Sequence, residues 1–152
     1  MSRTQRVMHC APEDVFGVLA DGWSYGSWVV GSARIRAVDE GWPAEGTQIH
    51  HSVGLWPALL DDTSQVERVS PPFRLQMRVR AWPTGEGRVV IICRPKGDDT
   101  LVTMEERAVT GPAVLIPVAV QDAMLGARNR EALRRLAYLA EGHARPPWGQ
   151  GA

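Results

Sequence analysis

Side chains that could move protons are few in this chain of 152 residues. His50 and His51 are adjacent, and successive residues of a strand point to opposite faces, so at most one of them can enter a cavity. If Ile49 and Val53 face inward, His51 does so too and His50 meets solvent. Imidazole titrates near neutral pH, so an inward His51 could act as a general base. A hydrogen-bonded structural histidine is the alternative.

Carboxylates supply the other catalytic candidates. Glu106 continues the alternation of a predicted strand, which favours an inward side chain near a cavity mouth. Asp122 falls on the apolar stripe of a long predicted helix, where a carboxylate needs a partner or a raised pKa. Asp122 near His51 or Arg94 would make a polar focus in an apolar pocket, and a position at the wet rim is the alternative. The catalytic candidates are therefore His51, Asp122 and Glu106, although their spacing forces no acid–base pair together.

Other polar residues favour structural roles. Asp61 and Asp62 are adjacent and should point apart, which is typical of a turn or a wet strand edge. The amide of Asn129 could bond the backbone where helix meets sheet. No third ligand sits at useful spacing from the histidine pair, and His9 and His143 lie far off in sequence, so no metal is expected.

Composition narrows the classes of function further. Lysine plus arginine equals aspartate plus glutamate at 17 each, so the chain has no global field for nucleic acid, and the basic run 128–135 is interpreted as a solvated helix face. No glycine-rich phosphate loop, nucleophile elbow or Cys-x-x-Cys occurs, and no cofactor is implied. Two cysteines are too few for a disulfide framework. With no signal sequence and no long apolar run, the chain is predicted to be cytoplasmic, without integral membrane association.

The elements that must position these residues follow the order β, α, α, six β, α. Proline at position 12 favours the first turn of a helix that ends at 21–22, and a second short helix is predicted over 23–30. A hairpin loop is predicted over 84–87. Alternating or extended patterns predict seven strands, at 3–10, 33–39, 47–56, 59–69, 73–82, 88–95 and 100–109.

The last third of the chain predicts one long amphipathic helix over 117–141, stopped by Gly142. Small and polar residues interrupt its apolar stripe, which suggests that the helix covers a curved sheet without filling the groove. We expect one domain over 1–142 and a flexible, Pro/Gly-rich tail over 143–152. The predicted stripe consists of Val118, Asp122, Leu125, Asn129, Ala132, Leu133, Leu136 and Ala140.

Four segments carry a resemblance to a known family: APEDVF at 11–16, VERVSPP at 66–72, TLVTMEE at 100–106 and ARNREALRRL at 127–136. With the element order, they resemble the START/Bet v 1-like (SRPBCC) superfamily, and more narrowly its polyketide cyclase/dehydrase and lipid-transport family. The resemblance implies an α+β helix-grip fold. In that fold, a curved antiparallel sheet of about seven strands wraps around a long C-terminal helix, and two short helices follow the first strand.

The resemblance also implies a deep cavity for apolar small molecules between sheet and helix. We therefore expect binding of a small hydrophobic ligand, whether lipid, isoprenoid or polyketide-like. The alternatives are a cyclase or dehydratase that uses a few polar cavity residues, and an interaction protein with a collapsed cavity. A homodimer is left open. The candidate ligand-binding residues, some of which could equally be core, are Trp28, His51, Trp56, Met77, Trp82, Met104, Val118, Asp122 and Leu125.

Overall fold

The computed structural model describes residues 2–30, 32–53, 60–81 and 85–144. Seven strands form one curved antiparallel sheet with the order β1-β7-β6-β5-β4-β3-β2, which confirms the predicted helix-grip architecture. The predicted tail at 145–152 lies outside the described residues. The strands are β1 (Ser2–Met8), β2 (Ser32–Val38), β3 (Gln48–Val53), β4 (Leu60–Ser70), β5 (Arg74–Ala81), β6 (Gly85–Lys96) and β7 (Asp99–Thr110).

Three α-helices complete the fold: α1 (Pro12–Ala20), α2 (Tyr25–Trp28) and α3 (Val118–Ala144). A 3-10 turn at Gly22–Ser24 precedes α2, and another at Pro112–Leu115 precedes α3. Two predicted boundaries were wrong by three residues. α3 continues through Gly142, because one glycine costs a packed helix only about 1 kcal/mol. β6 begins at Gly85 rather than at residue 88, because the pairing with β5 extends as far as Ala81.

The inner face of the sheet is organised in rows that cross the strands. Because directly paired residues share a face, the register joins Glu106 to Val89 and Val89 to Met77 in one row. All three of these side chains are buried. The neighbouring row, one step of the alternation further along each strand, has much smaller residues. It runs Ala108, Gly87, Val79, Ser64.

α3 is buried along only one half of its length. Its buried residues are all at or beyond Asn129. The helix as a whole packs against β1, α1, α2 and β7. Val118 was predicted to lie on the buried stripe, but it is 60% exposed, and Met124 is 63% exposed. Met124 and Leu125 instead line a space that also borders Val79, Gly87 and Ala108 of the second row.

Within the described ranges, no helix combines the length and apolar character that crossing a bilayer requires.

The C-terminal half of α3 should therefore carry the stability of the helix. Leu136 is fully buried, so Leu136→Ala is expected to lower the free energy of unfolding by about 2–5 kcal/mol through lost burial and the cavity it leaves. The control is Tyr138→Ala on the same helix, since Tyr138 is 80% exposed and its loss should cost less than about 0.5 kcal/mol. Urea titration followed by tryptophan fluorescence measures both, and similar losses would contradict the half-buried helix.

Candidate functional site

A cavity of about 210 Å3 lies under the exposed half of α3. Its floor is the row of small residues, of which Val79, Gly87 and Ala108 line it. Its roof is made by Leu125 of α3 and Ile116, which follows the second 3-10 turn. The cavity therefore exists because small strand residues face a part of the helix that does not descend to meet them.

The amide of Gln121 closes this roof. Its Nε2 donates to the carbonyl oxygens of Ala113 at 2.9 Å and Ile116 at 2.7 Å. One side chain in the first turn of α3 thus holds the preceding 3-10 turn against the helix. These two bonds use both amide hydrogens of Gln121, so this side chain has no donor left for a ligand.

An ion pair forms one wall of the cavity. Arg128 Nη2 donates to Glu106 Oε1 at 2.7 Å, and both residues line the space. Glu106 is 7% exposed and shares its strand face with the buried Val102 and Met104, as the alternation predicted. Its second oxygen, Oε2, is buried and has no hydrogen-bond partner among the described residues.

A second polar cluster lies deeper, where α2 meets strands β3 and β4. The Tyr25 hydroxyl is 2.8 Å from Ser64 Oγ, which is 3.0 Å from His51 Nε2. The rings of Tyr25 and His51 stack with centroids 5.5 Å apart. All three residues are buried, and His51 Nδ1 has no hydrogen-bond partner in the part of the chain that the structure describes. These residues form a continuous hydrogen-bonded chain, named here the Tyr25–Ser64–His51 relay.

Burial keeps both ends of the relay uncharged at neutral pH. Desolvation lowers the pKa of His51 from its ordinary value of 6.5, and the opposing attraction of Asp62 is weaker. Desolvation also raises the pKa of Tyr25 to about 12, although the bond to Ser64 acts in the other direction. The relay thus presents a neutral imidazole, which can accept a proton, and a protonated phenol, which can donate a hydrogen bond.

The relay adjoins the cavity. Ser64 pairs with Val79, a residue of the cavity floor, and paired residues on one face lie about 4.5–5.5 Å apart at Cβ. The charges of Arg128 and Glu106 also act weakly on the pKa of Tyr25. Sequence reasoning missed Tyr25 and Ser64, although the strand register would have put Ser64 on the inner face.

Asp122 is separated from this site. With Gly126 and Arg130 it lines a different groove, between α3 and Ser2–Gln5 of the β1 edge. Asp122 was predicted either to form a polar focus with His51 or Arg94 or to lie at a wet rim. The structure places it in this groove, while Arg94 is exposed on β6 and His51 belongs to the relay. Asp122 and Leu125 are three residues and therefore about 60° apart around the helix, and they face grooves on its two flanks.

The remaining predicted ligand-binding residues divide into three groups. Trp28, Met77 and Met104 are buried in the hydrophobic core. Val118 is exposed and does not line the cavity. Trp56 and Trp82 lie outside the described residues.

The other polar predictions have mixed outcomes. His50 faces away from His51 and lies 3.1 Å from Asp39, as the strand alternation indicated. Asp62 is buried while Asp61 is exposed, so the two acids do point apart. Asn129 is buried as expected, and its Nδ2 has no partner among the described residues, so this atom does not make the predicted bond to the backbone.

Across the described ranges, no group of three or more His, Cys, Asp or Glu side chains could hold a metal ion.

The lowered pKa of His51 makes a prediction about stability and pH. Above about pH 6.5 this histidine is neutral in both the folded and the unfolded chain, so it adds no pH dependence. Below that value the unfolded chain takes up the proton more readily than the folded chain, so the free energy of unfolding decreases as the pH is lowered. We expect His51→Gln to remove part of the loss in unfolding free energy between about pH 7 and pH 5, measured by urea titration. His50→Gln, on the outer face, is the matched control and should keep that loss. Equal slopes for the wild type and His51→Gln would contradict the assignment.

Comparisons with known proteins place this geometry in context. A solved protein from Rhodobacter sphaeroides is similar with a TM-score of 0.71 and 21% identity, over 92% of this chain and 91% of that one. Ara h 8.0201 matches with a TM-score of 0.70 at 9% identity, over 92% and 96% of the two chains. The di-domain ARO/CYC StfQ from the steffimycin biosynthetic pathway gives 0.70 at 15% identity, over 93% of this chain and 50% of StfQ. At these identities the similarity establishes the fold alone.

No curated protein sequence matches the chain. The family model described as "Polyketide cyclase / dehydrase and lipid transport" matches residues 1–141. With the helix-grip sheet, the half-buried α3 and the cavity beneath it, this match over nearly all of the sequence shows that the chain belongs to the polyketide cyclase/dehydrase and lipid transport family.

Proposed function

We propose that this protein binds a small hydrophobic molecule in the cavity between α3 and strands β5–β7. The observation that carries the proposal is the row of small residues Val79, Gly87 and Ala108 beneath the part of α3 that is not buried. A protein interior is normally packed without large voids. The residues around this gap therefore lack van der Waals contacts on one side, and a bound molecule would supply those contacts.

The size of the cavity limits the ligand. Its volume of about 210 Å3 is below the usual ~300–1,000 Å3 of small-molecule pockets. A compact ring system or a short isoprenoid fits this volume better than a two-chain lipid. A ligand of that size suits the polyketide-like and isoprenoid classes expected from the family. The presence of the cavity disfavours the alternative of an interaction protein with a collapsed cavity.

Exposed apolar side chains mark a route to the cavity. Met124 lines the cavity and is 63% exposed, and Leu115, in the adjoining 3-10 turn, is 86% exposed. One hydrogen-bonding side chain, Gln121, holds that turn to α3. Release of Gln121 would free the turn at the cost of two hydrogen bonds, each a modest net contribution of about 1 kcal/mol.

A second candidate function is proton transfer on a polyketide-like substrate. It is favoured by the Tyr25–Ser64–His51 relay, in which Ser64 lies one strand away from the cavity floor and the neutral imidazole of His51 lies two strands away. The Nδ1 atom of this imidazole has no partner among the described residues. General acid–base groups of this kind contribute about 10²–10⁴-fold to a rate. The similarity of fold to StfQ, an ARO/CYC protein, is compatible with this candidate without selecting it.

Ligand binding is tested by filling the cavity. Ala108→Trp places a large side chain on the cavity floor and should weaken binding of the neutral fluorescent probe N-phenyl-1-naphthylamine at least about tenfold, because it occupies the ligand's volume. Probe fluorescence measures the affinity. Ala123→Trp is the matched control, since Ala123 is exposed on α3 and does not line the cavity.

Both variants need an intact fold, which thermal unfolding followed by circular dichroism verifies. Unchanged probe affinity in a folded Ala108→Trp variant would refute the proposed site. Extraction of the purified wild-type protein, followed by mass spectrometry, would identify a ligand carried from its native host.

A pair of substitutions in the relay separates binding from catalysis. Tyr25→Phe and His51→Gln leave the ion pair and the cavity floor intact, so probe affinity should stay within about twofold of wild type. If the protein is a cyclase, cyclisation of a linear poly-β-ketone made in situ by a polyketide synthase should fall at least about 100-fold. Liquid chromatography with mass spectrometry follows the products. Product formation that is the same with wild type, variants or buffer would refute the enzymatic candidate and leave binding as the function.

A further inference from the structure

We propose that the molecule bound in this cavity is an apolar ring system that carries a hydroxyl group, phenolic or enolic, and donates its hydrogen bond to Glu106. This inference rests on the proposed function and specifies the ligand class of the same site. It assigns Glu106 as the acceptor and Arg128 as the residue that orients it.

One carboxylate oxygen of Glu106 has no hydrogen-bond donor among the described residues. Oε1 accepts from Arg128 at 2.7 Å, whereas Oε2 is buried without a partner. Buried polar atoms in folded proteins nearly always have a hydrogen-bond partner, so a buried carboxylate oxygen that lacks one needs an explanation. The carboxylate lines the cavity, and the terminal χ3 of glutamate is broad, so a rotation about it can present this oxygen to a ligand.

The lining of the cavity leaves this oxygen open to a donor from inside. Both hydrogens of the Gln121 amide are used by the carbonyls of Ala113 and Ile116. Of the floor residues, Val79, Gly87 and Ala108 have no side-chain donor, and Arg107, which also lines the cavity, is exposed. A group inside the cavity can therefore supply the missing donor. In the empty protein, water can fill this role, and a ligand must either keep that water or replace it with its own hydroxyl.

The charged groups of Arg128 and Glu106 also select among ligands. A guanidinium has five N–H donors, and the structure shows Arg128 donating one to Glu106 in the described residues. Donors therefore remain for an acceptor oxygen beside the ligand hydroxyl, such as a ketone. The carboxylate of Glu106 would repel a carboxylate in the same place, so the wall favours hydroxylated ligands over fatty acids and other organic acids.

A matched set of naphthalenes tests this specificity. 2-Naphthol donates a hydrogen bond, 2-methoxynaphthalene only accepts one, and 2-naphthoate is anionic. Each competes with N-phenyl-1-naphthylamine for the wild-type protein. We expect 2-naphthol to bind about tenfold more tightly than either of the others, because a hydrogen bond to a charged acceptor is worth about one order of magnitude.

Glu106→Gln then tests the residue. Arg128 should hold the carbonyl oxygen of the new amide, which turns its NH2 group toward the cavity. A donor replaces an acceptor there, so the preference for 2-naphthol over 2-methoxynaphthalene should disappear or reverse. Glu105→Gln is the matched control. Glu105 is the next residue on β7, faces the other side of the sheet and lies 3.8 Å from Arg3, so its loss should leave the preference unchanged.

The outcomes separate this inference from the proposed function. Equal wild-type affinities for 2-naphthol and 2-methoxynaphthalene would overturn the hydroxyl assignment while the cavity still binds, and this measurement requires no variant. A preference that persists in a folded Glu106→Gln variant would overturn the role of Glu106. Binding of none of the three compounds, together with no binding of the probe, would overturn the proposed function itself.

Discussion

The site depends on a mismatch in packing between the long helix and the sheet. The first row of inner-face residues, Glu106, Val89 and Met77, is bulky and buried, whereas the next row is reduced to Ala108, Gly87 and Val79. A straight helix cannot follow both surfaces. α3 makes its close contacts through its C-terminal half and spans the remainder, so the cavity follows from a change in side-chain size over two residues of each strand.

The same geometry places polar groups in surroundings where their charges are costly. Glu106 is buried as a carboxylate because Arg128 neutralises it at 2.7 Å, and breaking such a pair would leave an uncompensated buried charge. His51 and Tyr25 are buried without a close counter-ion bonded to them, and burial keeps both neutral. The cavity region therefore combines one paired charge with a neutral relay, and these two polar features can serve different purposes: recognition of a ligand and movement of a proton.

The outer face of the sheet has the opposite character. Arg88 forms two bonds to Glu67, at 3.0 and 3.2 Å, and Arg78 lies 2.8 Å from Glu86. These arginines belong to strands whose alternate residues are apolar. Such pairs stabilise little, but they keep one face of the sheet wet and the other dry.

Much of the fold was accessible from the residues alone, because the period of two in the strands and the stripe of α3 are local patterns. Alternation along the strands was enough to predict that His51 and Glu106 face inward and that His50 faces outward. Which half of α3 is buried was not accessible, since Val118 and Leu136 look alike in an apolar stripe and only the opposing strand residues distinguish them. Strand register and the position of α2 likewise bring together Tyr25, Ser64 and His51. The orientation of α3 places Asp122 in a different groove. Local sequence thus determined the elements and the direction of their side chains. Only the tertiary structure decided which side chains meet, because contact between distant segments depends on register and on the volumes that face each other.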